Sequence, residues 1–354
     1  MLHVLPADMA RGAQTYARLL IDALTDDSED HQAVTLFEGP EGALHADIAL
    51  DVPDGRLRRL GFDPRAAWRL WRTVRLVRPR LVVAHGGETL LYAAFVPLAA
   101  PLVYYRIGLL DPAVARVPRR WIYRMAARRC AAVAGVAHEV LEEAGEVLAV
   151  PAERLHLIPN GRPAELFDDT APRGEDRVHL LWIGQLTEHK RPEWFVDLIT
   201  ALRARHLDVV GQVVGDGPLD ADLRERAPSA GVQVLGRRDD VPALMAGADI
   251  ICFTSRGDAE GMPGVLIEAA LSGRPVVTTD VAGADTVVVD GVTGVVVPRH
   301  DFGAFVAAVE HLVTDPARRR AMGTAARARG IERFTMSASA AGWRGLIGEL
   351  APCR

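Results

Sequence analysis

Residues 249–279, DIICFTSRGDAEGMPGVLIEAALSGRPVVTT, decide the fold. An apolar run, Asp249–Phe253, leads into a loop of small and polar residues. Gly264–Leu271 then reads as a short helix, and a second apolar run, Pro275–Thr279, closes the unit. Strands that are apolar at consecutive positions are buried on both faces, and a helix between two of them is the crossover of a parallel sheet. The same alternation runs outward from here. Further strands are expected at Val178–Ile183, Val209–Val214, Val232–Leu235 and Gly294–Val297, with helices at Pro192–Arg205, Leu219–Arg226, Val241–Ala246 and Phe302–Val313. The first half repeats the scheme less cleanly. Its strands are Met1–Leu5, Val34–Phe37, Leu81–His85, Leu102–Arg106 and Ala132–Val136; its helices are Gly12–Leu24, Pro64–Val77, Thr89–Ala99 and Arg116–Arg129.

The fold class is therefore α/β, with two doubly wound parallel sheets in tandem, and 354 residues suit two domains. The join falls near Ile158–Asp169, where Pro, Asn and Gly punctuate the chain. Residues 1–160 form the first domain and 161–335 the second, and a last helix at Met336–Leu350, within 336–354, packs back on the first. Ligands of such sheets bind beyond the carboxyl ends of the strands. Function is expected in the loops that follow strands and in the cleft between the domains.

Composition narrows the class. A net charge of -5 leaves no basic field for nucleic acid. Three scattered cysteines read as reduced thiols, not as a disulfide framework or zinc cluster. No apolar run approaches the ~20 residues that a membrane span needs. The first residues read as strand and helix, without a secretory leader. A soluble, cytoplasmic protein is expected.

Three loops carry candidate chemistry. Between Ser255 and Ala269, Gly261 and Gly264 let backbone approach a ligand, and Pro263 presets a first helical turn. The amides of Met262, Gly264, Val265 and Leu266 then make an anion site. Glu260 and Glu268 bracket it, placed to suit a sugar's hydroxyls and a ribose; a capping loop with two solvated glutamates fits the same spacing. The second loop is Leu180–Lys190. Of the 41 Lys and Arg residues a single one, Lys190, is lysine, and it stands where a helix begins. A cation there opposes the helix dipole unless an anion lies between, so a phosphate is the expected partner. The third, Met9–Gln14, places Gly12 and Ala13 at a helix start. It is not a GxGxxG, and neither is Val214-Gly215-Asp216-Gly217-Pro218, so the dinucleotide fingerprint is missing.

Together these residues resemble the GT-B retaining glycosyltransferases of the family 4 type, the group with an E-x7-E motif. The resemblance runs through Gly12-Ala13-Gln14, Ile158-Pro159-Asn160-Gly161, Trp182–Lys190, Gly215-Asp216-Gly217-Pro218, Leu235-Gly236-Arg237, Glu260 to Glu268, and Asp290-Gly291-Val292-Thr293-Gly294. It implies two Rossmann-like domains, the first for the acceptor and the second for a nucleotide-sugar donor of UDP, GDP or ADP type. Glu260 is then expected on the sugar, Glu268 on the ribose, Lys190 on the leaving diphosphate, and Gly236 and Arg237 at the base. The amides at Gly12 and at 262–266 assist. The transferred sugar is hexose-type, the acceptor a small molecule or lipid-linked, and no cofactor or metal is implied, since no DxD motif stands in a metal-site context.

Two departures qualify this expectation. The family usually has arginine where this chain has Gln185, removing one cation from the diphosphate. The strand Leu102–Arg106 ends in arginine where a histidine near the acceptor is usual. Arg106 and His85 are the acceptor-side candidates, and for His85 a satisfied structural role fits equally. A pseudo-glycosyltransferase or a nucleotide-sugar-binding relative without turnover is the alternative within the fold. A nicotinamide oxidoreductase is the alternative outside it. Arginines also cluster over 56–80 and 116–129, and Arg65, Arg69 and Arg72 share a face of helix Pro64–Val77 with Trp68 and Trp71 nearby. Weak peripheral contact with anionic lipid is one reading of that face, and a solvated helix the other.

Overall fold

The computed structural model describes the whole chain except residues 8–11, 26–28, 40–45, 113, 115, 168–176, 258–259 and 353–354, and the side chains of 12–14. It divides into two compact units, Met1–Gly161 with Met336–Arg354, and Arg162–Thr335.

Unit 1 holds strands β1 (Leu2–Ala7), β2 (Gln32–Phe37), β3 (Ile48–Val52), β4 (Val82–His85), β5 (Leu102–Arg106), β6 (Ala132–Gly135) and β7 (Leu155–Leu157). They form one parallel sheet in the order β3-β2-β1-β4-β5-β6-β7. Its helices are α1 (Gly12–Leu24), α2 (Arg56–Arg59), α3 (Pro64–Val77), α4 (Gly87–Phe95), α5 (Arg119–Arg128) and α6 (His138–Leu148). Unit 2 holds β8 (Val178–Ile183), β9 (Val209–Val214), β10 (Val232–Gly236), β11 (Ile250–Phe253), β12 (Val276–Thr279) and β13 (Gly294–Val297), ordered β10-β9-β8-β11-β12-β13. Between them run α7 (Pro192–Ala204), α8 (Asp220–Ala230), α9 (Val241–Ala246), α10 (Gly264–Leu271), α11 (Ala284–Val287), α12 (Phe302–Thr314) and α13 (Pro316–Arg333). The final helix, α14 (Met336–Leu350), belongs to unit 1 and lies against α1. Tyr16 Oη sits 2.6 Å from Ser339 Oγ, which donates to the Pro159 carbonyl at 2.8 Å.

Each sheet has its own apolar core, and the strands contribute on both faces, as a parallel sheet requires. Reversal of strand order between β1 and β4, and between β8 and β11, brings the loops after those strands to the carboxyl edge where ligands bind.

Sequence reasoning passed over β3, β7, α2, α6, α11 and α13. The strands β3 and β7 are short and lie at the two sheet edges, where burial is partial and the apolar signal thin. Some bounds shift for local reasons. Helix α4 stops at Phe95 because Val96, ahead of Pro97, takes extended backbone. Helix α8 runs on to Ala230 because Gly231, at φ 71°, supplies the left-handed cap. Cys130 and Cys252 are free and buried, and burial pushes the Cys130 thiol up to about 12; Cys353 lies outside the described residues. Among the described residues no helix is long and apolar enough to cross a membrane.

Candidate active site

Four loops of unit 2 leave the carboxyl ends of β8, β9, β11 and β12 and meet there. Their contact begins with glycine. A Cβ on Gly215 (φ 138°) would stand 1.8 Å from the Gly184 carbonyl oxygen, so the β8 and β9 loops pack backbone to backbone. Leu186 N–H donates to Asp216 O at 2.8 Å, Gly184 N–H to Val214 O at 3.0 Å and Gly215 N–H to Gly236 O at 2.9 Å. Gly215 thus has a structural duty that the motif alone did not reveal.

The β8 loop ends at Lys190, and Arg191 follows in left-handed backbone ahead of Pro192, the first residue of α7. The Arg191 guanidinium is buried. Nε donates to Thr254 O at 2.8 Å, and Nη2 to Ser255 O at 2.7 Å and Arg299 O at 2.6 Å, while its plane stacks 3.9 Å over Trp194. Thr254 Oγ1 bridges the Lys190 and Arg191 carbonyls and accepts from Trp182 Nε1 at 2.9 Å. One buried guanidinium therefore clamps the loops after β8, β11 and β13. Sequence reasoning missed it; its only signal was an arginine directly after the one lysine.

That clamp sets Lys190 against Glu260. Nζ lies 2.5 Å from Glu260 Oε1 and 5.0 Å over the Phe253 ring, and Ser255 Oγ donates to the same carboxylate oxygen at 2.7 Å. Glu260 is only 6% exposed, and this pairing offsets the cost of burying a carboxylate. In this structure the Lys190 ammonium is paired with the Glu260 carboxylate, where sequence reasoning expected a phosphate.

Gly261, Met262 and Pro263 are buried between Glu260 and α10, with Pro263 as N-cap and no side chain capping the amides of Gly264, Val265 and Leu266. A Cβ on Gly283 (φ 78°) would come 2.5 Å from Gly261 O and 2.8 Å from Met262 Cα, so the β12 loop braces this segment. Glu268 is not with Lys190. Its Oε1 accepts from Arg162 Nε at 3.0 Å, and Arg162 Nη2 lies over the Gly264 end of α10. Arg162 is a second cation that sequence reasoning overlooked. Gln185 and Arg237 are exposed, and Gly236 (φ 70°) ends β10 beneath Arg224. Asp258 and Ala259 lie outside the described residues. Among the described residues no group of three or more His, Cys, Asp or Glu is placed to hold a metal ion.

The unit 1 candidates have different surroundings. Gly12 and Ala13 open α1, and their environment lies outside the described residues. His85 ends β4 in a buried chain: its Nε2 lies 2.9 Å from His3 Nδ1, and His3 Nε2 lies 3.0 Å from His31 Nδ1. Burial alone pushes His85 down to about 3, and burial with its histidine neighbours pushes His3 well down. All this makes His85 a neutral interior group. Tyr105, edge-on to His85, donates to Asn160 Oδ1 at 2.9 Å, which ties the Pro159-Asn160-Gly161 turn to β5. Arg106 is fully buried and ion-paired with Glu143, whose Oε2 also accepts from Leu110 N–H at 2.8 Å.

Residues 10–166 match the family model for Glycosyltransferase Family 4, and residues 177–315 the model for Glycosyl transferases group 1. The alpha-D-kanosaminyltransferase of Streptomyces kanamyceticus is 27% identical over 65% of this chain and 64% of its own length. The GDP-mannose-dependent alpha-(1-6)-phosphatidylinositol monomannoside mannosyltransferase of Mycolicibacterium smegmatis is 30% identical over 70% of this chain and 73% of its own. This chain thus spans just under two thirds of the first relative and rather more of the second. Anabaena HepE, solved in complex with UDP, superposes with a TM-score of 0.82 at 20% identity, covering 99% of both chains. At that identity the likeness is one of fold, and the fold is GT-B.

Proposed function

Since the chain belongs to the family 4 glycosyltransferases, we propose that it moves a hexose-type sugar from a nucleotide-diphosphate donor to an acceptor with retention at the anomeric carbon. The observation that carries the reading is the Lys190–Glu260 pair, held at the carboxyl ends of β8 and β11 next to the first turn of α10, which no side chain caps. An ammonium has three donors, so Lys190 can keep Glu260 and still meet a phosphate oxygen. The diphosphate rests on the amides of 262–266 and on Lys190, Glu260 takes the sugar hydroxyls, and Glu268, steadied by Arg162, takes the ribose. The bond from the anomeric carbon to the β-phosphate oxygen breaks with its electrons going to phosphate, where Lys190 offsets the growing charge. The acceptor oxygen bonds to the same face of that carbon, and its proton passes to the leaving phosphate.

HepE binds UDP and the mannosyltransferase uses GDP-mannose, so family likeness leaves the base open among UDP, GDP and ADP types. The test is release of nucleoside diphosphate from a panel of UDP-, GDP- and ADP-hexoses without acceptor, with the freed sugar followed by NMR. Release from one donor class as the retained anomer, abolished in Glu260→Gln, is expected. A chain that binds a donor and never releases the diphosphate is a binding relative, and the transferase reading fails.

A further inference from the structure

The sheet of unit 1 has a second edge, at the amino ends of β5, β6 and β7, opposite the carboxyl edge where ligands of such sheets usually bind. A cavity of about 320 Å³ opens there, between the ends of α4 and α5 and the turn that leads into β7. Apolar side chains line part of it, among them Val96, Leu98, Pro101 and Leu102. Arg128, Arg129 and Arg154 line the rest, all three exposed, and no acidic side chain joins them. Arg154 reaches the Cys130 carbonyl at 3.5 Å, and none of the three meets a carboxylate among the described residues. The larger cavity of unit 1, about 590 Å³, differs: Glu88 and Asp111 line it beside Arg58 and Arg119, so its charges balance.

Helix ends account for part of the arginine charge. Both α4 and α5 finish at this cavity, and a helix C-terminus carries about half a negative charge, which favours nearby cations. Three guanidinium groups against two such ends leave roughly two positive charges without compensation. A phosphate monoester supplies about −1.5 to −2 at pH 7, and its oxygens match the paired N–H groups of arginine. The volume lies at the small end of the range for small-molecule sites, about 300–1,000 Å³. Size and charge together call for a compact phosphorylated molecule.

We propose that this cavity binds a small, soluble phosphate monoester, with its phosphate against Arg128, Arg129 and Arg154 and its body against Val96, Leu98 and Leu102. The cavity lies away from the strand ends that carry the candidate chemistry, so its ligand is an effector and not one of the reacting pair. The site is separate from the donor loops of unit 2, and the proposal does not depend on the transferase reading.

The experiment is calorimetric titration of the full chain at low salt with phenyl phosphate, inorganic phosphate and phenol. Phenyl phosphate is expected to bind, inorganic phosphate to bind more weakly, and phenol not at all. Affinity for phenyl phosphate should fall about tenfold in Arg154→Glu, and by a similar factor in the double variant Arg128→Ala, Arg129→Ala. It should stay within about twofold of wild type in Arg116→Glu, which makes the same charge change outside the cavity, and in Lys190→Ala, which disables the candidate donor site. The side chains replaced in unit 1 are exposed, and an unchanged melting point verifies each fold. Loss in Lys190→Ala with none in Arg154→Glu would put the phosphate at the donor loops and overturn the proposal. Equal loss in Arg116→Glu would reduce it to a diffuse field, and absence of binding to the wild type would refute it outright.

Discussion

The loops after β8 and β11 in unit 2 and the ends of β4 and β5 in unit 1 lie at the carboxyl edges of two parallel sheets, yet they are built in opposite ways. Unit 2 concentrates charge at its loops and pairs it: Lys190 with Glu260, Glu268 with Arg162, Arg191 with three carbonyls. Behind β4 and β5 unit 1 instead holds polar groups in its interior, as three neutral histidines and an Arg106–Glu143 pair. A site wired by paired charges is preorganised for an ionic ligand.

The comparison breaks first, if it is wrong, at Lys190. Lys190→Ala is expected to lower turnover by a factor on the order of 100–1,000, about 3–4 kcal/mol, read as kcat in the diphosphate-release assay. Equal turnover would make the pair a structural salt bridge. Arg191→Ala comes next. Three charge-assisted hydrogen bonds are lost from a buried position, and the urea midpoint should report roughly 3 kcal/mol of destabilisation. A change under about 0.5 kcal/mol would refute the clamp.

How much of this was legible in sequence follows from the same contrast. In unit 2 the strand and helix signals are long and uniform, so Val241–Ala246 and Gly264–Leu271 were bounded to the residue. The lone lysine and the E-x7-E spacing named Lys190, Glu260 and Glu268. What spacing does not encode is which partner each group meets. Glu268 turned to Arg162, 106 positions away, and Arg191 reached Arg299, 108 away. In unit 1 the edge strands β3 and β7 are only partly buried, which left their apolar signal thin. A residue's exposure is settled by tertiary packing, which periodicity constrains only by face.

Acid sharpens the difference between the units by a smaller amount. His3 and His85 are neutral when folded, with lowered values, so the unfolded chain binds more protons as pH falls below 6.5. The sign is a loss of stability on acidification, by up to about 1.4 kcal/mol per pH unit for each histidine, continuing toward pH 3 for His85. Hydrogen exchange resolved by segment should show β1 and β4 opening at pH 5 relative to pH 7 before β8 and β11 do; simultaneous opening contradicts it. The smallest effect is at Gln185. Restoring a cation with Gln185→Arg should tighten nucleoside diphosphate binding by about 1 kcal/mol, near fivefold, in calorimetric titration. No change would mean that Arg162 or another group already supplies that charge.

The most direct test is a thermal-shift panel of UDP, GDP and ADP on wild type and Lys190→Ala. A ligand at 100 times its dissociation constant adds ~2.7 kcal/mol, a readable rise in melting temperature. Stabilisation of the wild type by one diphosphate, lost in the variant, is the predicted result. Absence of a shift with every nucleotide, or a shift that survives Lys190→Ala unchanged, would contradict a donor site at the Lys190–Glu260 pair.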